Sequence, residues 1–204
     1  MVASWYASRF GFDYVAYRGL ETGYRNSATW VMRQGKILFA FSSVLGPKAE
    51  KELGDDMGRH LAVHGDGVKD VAFTVTDARA MYEAAVKRGA VSIREPVEEK
   101  DEHGSVVLAT VKTYGDTVHT FVERKNYKGA FLPGFKYLDK KDALAEYTAP
   151  VGLDYIDHCV GNMPDQGMTP TVEWYEKCLQ FHRFWSVDDK QVCSAPWPWF
   201  FSWA

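Results

Sequence analysis

The chain has 204 residues, more than one small module at roughly 150 residues per domain, and 46% of them are apolar, which excludes disorder as the main state. Twenty-four Lys and Arg oppose twenty-seven Asp and Glu, for a net charge of -3. That balance argues against nucleic acid and against an anionic membrane surface as partners.

The longest wholly apolar run is five residues, Ile37 to Phe41, against the ~20 of a membrane-spanning helix. The N-terminus has no basic region followed by an apolar stretch, so no secretory signal is expected. Cys159, Cys178 and Cys193 are an odd count without a C-x-x-C pair. Neither a disulfide framework nor a thiolate zinc site follows, and a reduced, cytoplasmic setting fits best.

In chain order, Met1 to Phe10 has helical spacing around Trp5, Tyr6 and Phe10. Gly11 stops that helix, because glycine takes a left-handed conformation without a steric cost. Phe12 to Tyr17 then reads as a strand. Ser27 to Arg33 and Lys36 to Ser42 are two apolar runs with Gln34-Gly35 as a tight turn between them. Gly46 to Gly58 reads as a charged loop and Arg59 to His64 as a short helix.

Val68 to Val75 reads as a strand, and Asp77 as the cap of a helix with Ala78, Met81, Tyr82, Ala85 and Val86 at helical spacing. Strands are expected at Ala90 to Pro96, Val106 to Thr113 and Thr117 to Glu123, with the charge run Glu98 to Glu102 as a solvated turn. Arg124 to Pro150 has the Gly, Pro and mixed charges of a connector. A strand at Leu153 to Val160, a loop, a helix at Pro170 to Leu179 and a strand at Gln180 to Val187 follow.

The chain repeats itself. Trp5-Tyr6-x3-Phe10-Gly11-Phe12 recurs as Trp174-Tyr175-x3-Leu179-Gln180-Phe181. Asp77 follows Asp70 by seven residues, as Asp165 follows His158. A unit of strand, helix and several strands is therefore used more than once.

Four stretches carry a resemblance: Val15 to Gly23 (VAYRGLETG), His64 to Phe73 (HGDGVKDVAF), Tyr155 to Asn162 (YIDHCVGN), and Trp174-Tyr175 through Phe181 to Asp189 (FHRFWSVDD). In that order they resemble the 4-hydroxyphenylpyruvate dioxygenase family of the vicinal oxygen chelate superfamily, over residues 4–193. The resemblance implies an α+β fold of βαβββ modules, the first nearly complete and the second incomplete. It divides the chain into an N-terminal module at 1–123 lacking its first strand, a connector at 124–150, the start of an iron-binding module at 151–193, and an unmatched tail at 194–204.

The resemblance also implies a mononuclear Fe(II) cofactor and the conversion of 4-hydroxyphenylpyruvate and O₂ to homogentisate and CO₂ in tyrosine and phenylalanine catabolism. The full-length family implies a homo-oligomer. Such chemistry needs iron held by few ligands, two His and one carboxylate, so that positions stay open for a chelating 2-oxo acid and for O₂. It also needs a dry aromatic pocket.

Alternation in the strand expected at Leu153 to Val160 puts Ile156, His158 and Val160 on one face. By resemblance, His158 matches the family's first iron ligand, and Val160 matches a position lining the substrate pocket. No other residue is assigned a catalytic role. The family's second His and its Glu lie beyond the match at Cys193, so these 204 residues alone are expected to lack turnover.

Other groupings weigh less. His182 reads as structural, and Asp188 and Asp189 as a turn. His60 and His64 are i, i+4 but lack the Glu of H-E-x-x-H. His119, Glu123 and Asp70 could echo an ancestral metal site. No G-x-S-x-G, G-x-x-x-x-G-K-[ST] or G-x-G-x-x-G motif is present.

Aromatic residues are 15% of the chain, and Trp185, Trp197, Trp199 and Trp203, four of the seven Trp, fall in the last twenty residues. The tail has no strand or helix period and reads as translated intron or a shifted frame, the alternative being a short terminus with an interaction role. Two rival functions stand beside the dioxygenase: a non-catalytic or dimerising product of the same gene, and a hydroxymandelate synthase-like enzyme.

Overall fold

The computed structural model describes residues 2–46, 56–139, 142–144, 147, 151–184 and 200–203. Contacts divide the chain into two compact units. The first comprises Met1–Lys69, Glu98–Val107 and Arg124–Ile156; the second comprises Asp70–Val97, Leu108–Glu123 and Asp157–Ala204.

The first unit opens with helix α1 (Val2–Phe10), followed by strands β1 (Asp13–Arg18), β2 (Ser27–Gln34) and β3 (Ile37–Val44). Helix α2 (Asp56–His64) comes next. The expected α1 stop is present, with Gly11 at φ 72°, and the expected turn lies at Gly35, at φ 55°. The loop expected at Gly46 to Gly58 lies largely outside the described residues.

The three strands pair antiparallel, and a short strand from the connector, β8 (Lys136–Tyr137), adds to β1, giving the order β3-β2-β1-β8. Strand β1 carries a bulge at Val15: Tyr14 faces Met32 but Ala16 faces Val31. One extra residue moves the side chains that follow to the other face. Tyr14 and Met32 therefore join the core under α1 with Ala3, Ala7, Phe12 and Ile37, while Ala16 and Val31 pack with Phe135.

The second unit holds β4 (Phe73–Thr74), α3 (Ala78–Lys87), β7 (Val118–Glu123) and parts of β5 (Ser92–Asp101) and β6 (Gly104–Lys112), whose stretch Glu98–Val107 is counted with the first unit. The sheet order is β4-β7-β6-β5, with β4 parallel to β7. This is a βαβββ unit with its first strand docked beside its last. Asp77 caps α3 as expected, accepting from the Ala80 amide at 2.9 Å, and Glu123 accepts from the Ala78 amide at 3.0 Å. Two of the orphan donors at the helix start are thus satisfied.

Several expected elements differ. The strand expected at Val68 to Val75 shortens to two residues, because Asp70 spends its carboxylate on the amide and hydroxyl of Thr120 and His119 Nδ1 takes the Val71 carbonyl at 2.7 Å. Side chains replace the ladder there, and only an isolated bridge from Asp70 to Val118 remains. The charge run Glu98 to Glu102 is mostly strand. The arm of β5 continues to Asp101, whose carboxylate accepts from the His103 amide at 2.8 Å, the Tyr127 hydroxyl at 2.8 Å and the Gly134 amide at 3.3 Å. Only the reversal at Glu102-His103 is a turn. The connector also contributes β8 to a sheet.

The chain then gives β9 (Cys159–Asn162) and helix α4 (Met168–Leu179), which buries Val172, Tyr175, Cys178 and Leu179. The strand expected at Leu153 to Val160 is confined to its end. Upstream, the Leu153 amide donates to Gln34 Oε1 at 3.1 Å and the Asp154 carbonyl accepts from the Lys36 amide. Backbone groups committed to the β2–β3 turn cannot also serve a strand ladder. The strand expected from Gln180 is not formed over 180–184, and its remainder lies outside the described residues. Part of the tail, which showed no strand period, does pair: β10 (Phe200–Trp203) runs antiparallel to β9. Cys193, Asp188, Asp189, Trp185, Trp197 and Trp199 lie outside the described residues.

Candidate functional site

His158 stands immediately before β9, in an irregular exposed stretch, rather than inside a strand. The alternation that put Ile156, His158 and Val160 on one face therefore does not operate here. The imidazole side chain is 44% exposed, and its Nδ1 lies 2.6 Å from Oδ2 of Asp157. With Nδ1–H donating to that carboxylate, Nε2 presents its lone pair outward. A carboxylate that fixes the tautomer in this way is the usual companion of a metal-binding imidazole. Asp157 was missed in the sequence; the Asp-His dipeptide was its only signal.

Val160 lies in β9 opposite Ser202 and is 46% exposed. Gly161 beside it packs under the Tyr114 ring: a Cβ there would come within 2.5 Å of the phenolic oxygen. A larger residue there would have to push the Tyr114 hydroxyl aside.

The other titratable groups have structural partners. His119 is buried, 4% exposed, with Nδ1 on the Val71 carbonyl and Nε2 2.8 Å from the Tyr175 hydroxyl. Donation of Nδ1–H to the carbonyl leaves Nε2 to accept from tyrosine, so a neutral ring satisfies both. Burial lowers the pKa of His119 below its ordinary 6.5, against the opposing pull of the Val71 carbonyl. Burial likewise raises the Tyr175 hydroxyl. Asp70 and Glu123 are bound to Thr120 and the start of α3, so His119, Glu123 and Asp70 are parts of the fold's own bonding.

His60 and His64 stack on α2 with ring centroids 4.5 Å apart. His182 is exposed after α4. Among the described residues, no group of three or more His, Cys, Asp or Glu stands close enough to hold a metal ion. A facial triad takes two imidazoles and a carboxylate; His158 with Asp157 beside it would offer at most one donor of the three. The described residues do not by themselves fit a complete iron site.

No family model matches the chain. Whole proteins do. A 4-hydroxyphenylpyruvate dioxygenase from Dictyostelium discoideum is 55% identical over 193 residues, which is 93% of this chain and 51% of that protein. The chain is similar to 4-hydroxyphenylpyruvate dioxygenases over nearly all of its own length. A protein of the same name from Xenopus tropicalis is 52% identical over 192 residues, 93% of this chain and 47% of the relative. The chain thus spans about half the length of the curated 4-hydroxyphenylpyruvate dioxygenases it matches.

Among solved structures, a triple mutant of 4-hydroxymandelate synthase from Streptomyces coelicolor superposes with a TM-score of 0.67 at 24% identity, covering 88% of this chain and 48% of that one. That likeness bears on the fold, which is the α+β vicinal oxygen chelate fold expected from the sequence. The relatives are dioxygenases by name. Among the described residues, no helix is long and apolar enough to cross a membrane.

Proposed function

We propose that the chain supplies about half of an Fe(II)-dependent 4-hydroxyphenylpyruvate dioxygenase, which turns 4-hydroxyphenylpyruvate and O₂ into homogentisate and CO₂ in tyrosine and phenylalanine catabolism. The observation that carries this reading is identity of 50–55% over 93% of the chain with proteins of that name. In this reading His158 is one iron ligand, held in the right tautomer by Asp157, and Val160 lines the substrate pocket. The module boundaries are 1–123, 124–150 and 151–193. The setting is the cytoplasm, where ferrous iron and the free thiols of Cys159 and Cys178 persist. The complete enzyme is a homo-oligomer.

One preplaced imidazole holds a metal weakly, because affinity depends on several donors fixed together. These 204 residues alone are therefore inactive, a non-catalytic part of the enzyme. The test is iron content and oxygen uptake. The purified chain, given ferrous salt and 4-hydroxyphenylpyruvate, should retain well under one iron per chain and consume no oxygen. A version carrying the remaining half of the relatives' length should consume oxygen, and His158→Ala should abolish that uptake. Stoichiometric turnover by the 204 residues would sink the claim of inactivity, and full activity of the His158→Ala extended chain would sink the ligand assignment. Accumulation of 4-hydroxymandelate in place of homogentisate would make it a synthase of that kind.

A further inference from the structure

We infer that a cleft in the first unit, beside Arg18, binds a small oxyanion, with Arg18 and Lys100 as its cations. Arg18 ends β1, and its guanidinium lies between two rings, 4.3 Å from the centroid of Tyr24 and 4.5 Å from that of Phe135. Stacking of this kind holds the planar group in place and strips water from its faces, but it does not neutralise the charge. Arg18 Nε is buried without a hydrogen-bond partner. No carboxylate of the described residues forms an ion pair with Arg18. A desolvated donor left unmet is costly, and buried polar groups are otherwise almost always satisfied. An anion meeting the part of the guanidinium that lines the cleft would balance its charge.

The space for it is present. The cleft has a volume of about 530 Å³ and is walled by Arg18, Thr22, Tyr24, Glu99, Lys100 and Pro133, among others. Small-molecule sites fall in this size range. Arg18 presents a fork suited to two oxygens at once, whereas Lys100 presents a point charge from the opposite arm. Lys100 is also 3.1 Å from Glu98, so part of its charge is already answered; Arg18 is the principal cation.

Glu99 sets the selectivity. A carboxylate on the wall repels a second negative charge, which favours a monoanion over a dianion. The preferred ligand is therefore a carboxylate with a flat or apolar body laid against Tyr24 and Pro133, and a free phosphate is the weaker occupant. This inference is independent of iron chemistry, and its failure leaves the dioxygenase reading untouched.

Benzoate and inorganic phosphate, titrated separately into the 204-residue chain at low salt, test it by calorimetry. Benzoate should bind saturably, one per chain, with Kd on the order of 1 mM, a typical order for a single charge-assisted contact. Arg18→Gln should weaken it about tenfold or more, and raised salt should weaken it further. If Arg18→Gln loses its fold by circular dichroism, Lys100→Glu decides instead: the position is exposed, and reversing its charge should also cost about tenfold. Tighter phosphate than benzoate would keep the oxyanion site and reassign its ligand. Absence of saturable binding for both, or binding indifferent to every folded variant, overturns the inference.

Discussion

The helix ends at Gly11 and Gln180 follow the same sequence pattern, and each turns on a left-handed residue. Gly11 has φ 72° and Gln180 has φ 60° and ψ 32°. In both, the amide of the next aromatic residue reaches back six positions: Phe12 to the Tyr6 carbonyl at 3.4 Å, and Phe181 to the Tyr175 carbonyl at 3.2 Å. The reach is one residue longer than that of a Schellman closure, and the left-handed residue before each aromatic turns the chain back to make it. The environments then diverge. Tyr6 packs edge-on against Phe12 and Phe39 and tilts against Phe41, in an aromatic cluster. Tyr175 stacks on Phe181 but turns its hydroxyl to the buried His119. A repeated pattern fixes how a helix ends; the neighbours decide whether apolar contact or a polar bond secures it.

The largest test of that contrast lies on the apolar side. Phe12→Ala, at a position 4% exposed and stacked 5.3 Å from Phe39, should cost about 3–5 kcal/mol, read as a drop in the urea midpoint. A loss below about 1 kcal/mol would mean the cluster repacks and the α1 end is not held by it. On the polar side, Tyr175→Phe keeps the ring and removes the hydroxyl. The buried Nε2 of His119 then loses its 2.8 Å partner, at about 1–3 kcal/mol. The matching Tyr6→Phe should be close to neutral, and equal losses at the two sites would erase the distinction.

Acid should separate the two ends as well. His119 has a folded pKa below its ordinary 6.5, so the unfolded chain binds the extra proton first. Stability contributed by the neutral ring is full above about pH 6.5 and falls as pH drops from there through the folded value. Thermal melts from pH 8 to 5 should show this decline, and His119→Gln should flatten it. A slope unchanged by that substitution would place the acid sensitivity elsewhere. The smallest effect is at Gln180, a non-glycine residue in left-handed backbone. Gln180→Gly should raise stability by about 0.5–1 kcal/mol, whereas Gly11→Ala should lower it by about 1–2 kcal/mol.

Much of this was legible in the sequence, because local chemistry decides it. The stop at Gly11, the turn at Gly35, the Asp77 cap and the apolar runs that become β2 and β3 each depend on residues close together in the chain. Elements that failed depend on distant partners. Val68 to Val75 has the composition of a strand, but Asp70 and His119 claim its ladder positions. Leu153 to Val160 alternates like a strand, but Gln34 and Lys36 take its backbone groups first. Glu98 to Asp101 has the composition of a solvated turn, yet pairing with β6 carries it on as strand. For the candidate site, resemblance alone singled out His158, and neither spacing nor period could tell that it precedes β9 or that Asp157 orients it. Arg18 carried no sequence signal at all, since its isolation follows from which carboxylates fail to reach it.

The parallel pairing of β4 with β7 has a kinetic consequence. Phe73 meets Phe121, and 121 − 73 = 48 residues of chain separate them. The β5–β6–β7 meander and α3 need only short-range contacts, whereas β4 must close a long loop for two residues of ladder. The unit should therefore assemble from its meander inward, with β4 joining last. Amide exchange should follow the reverse order, with the short β4 opening well before β6.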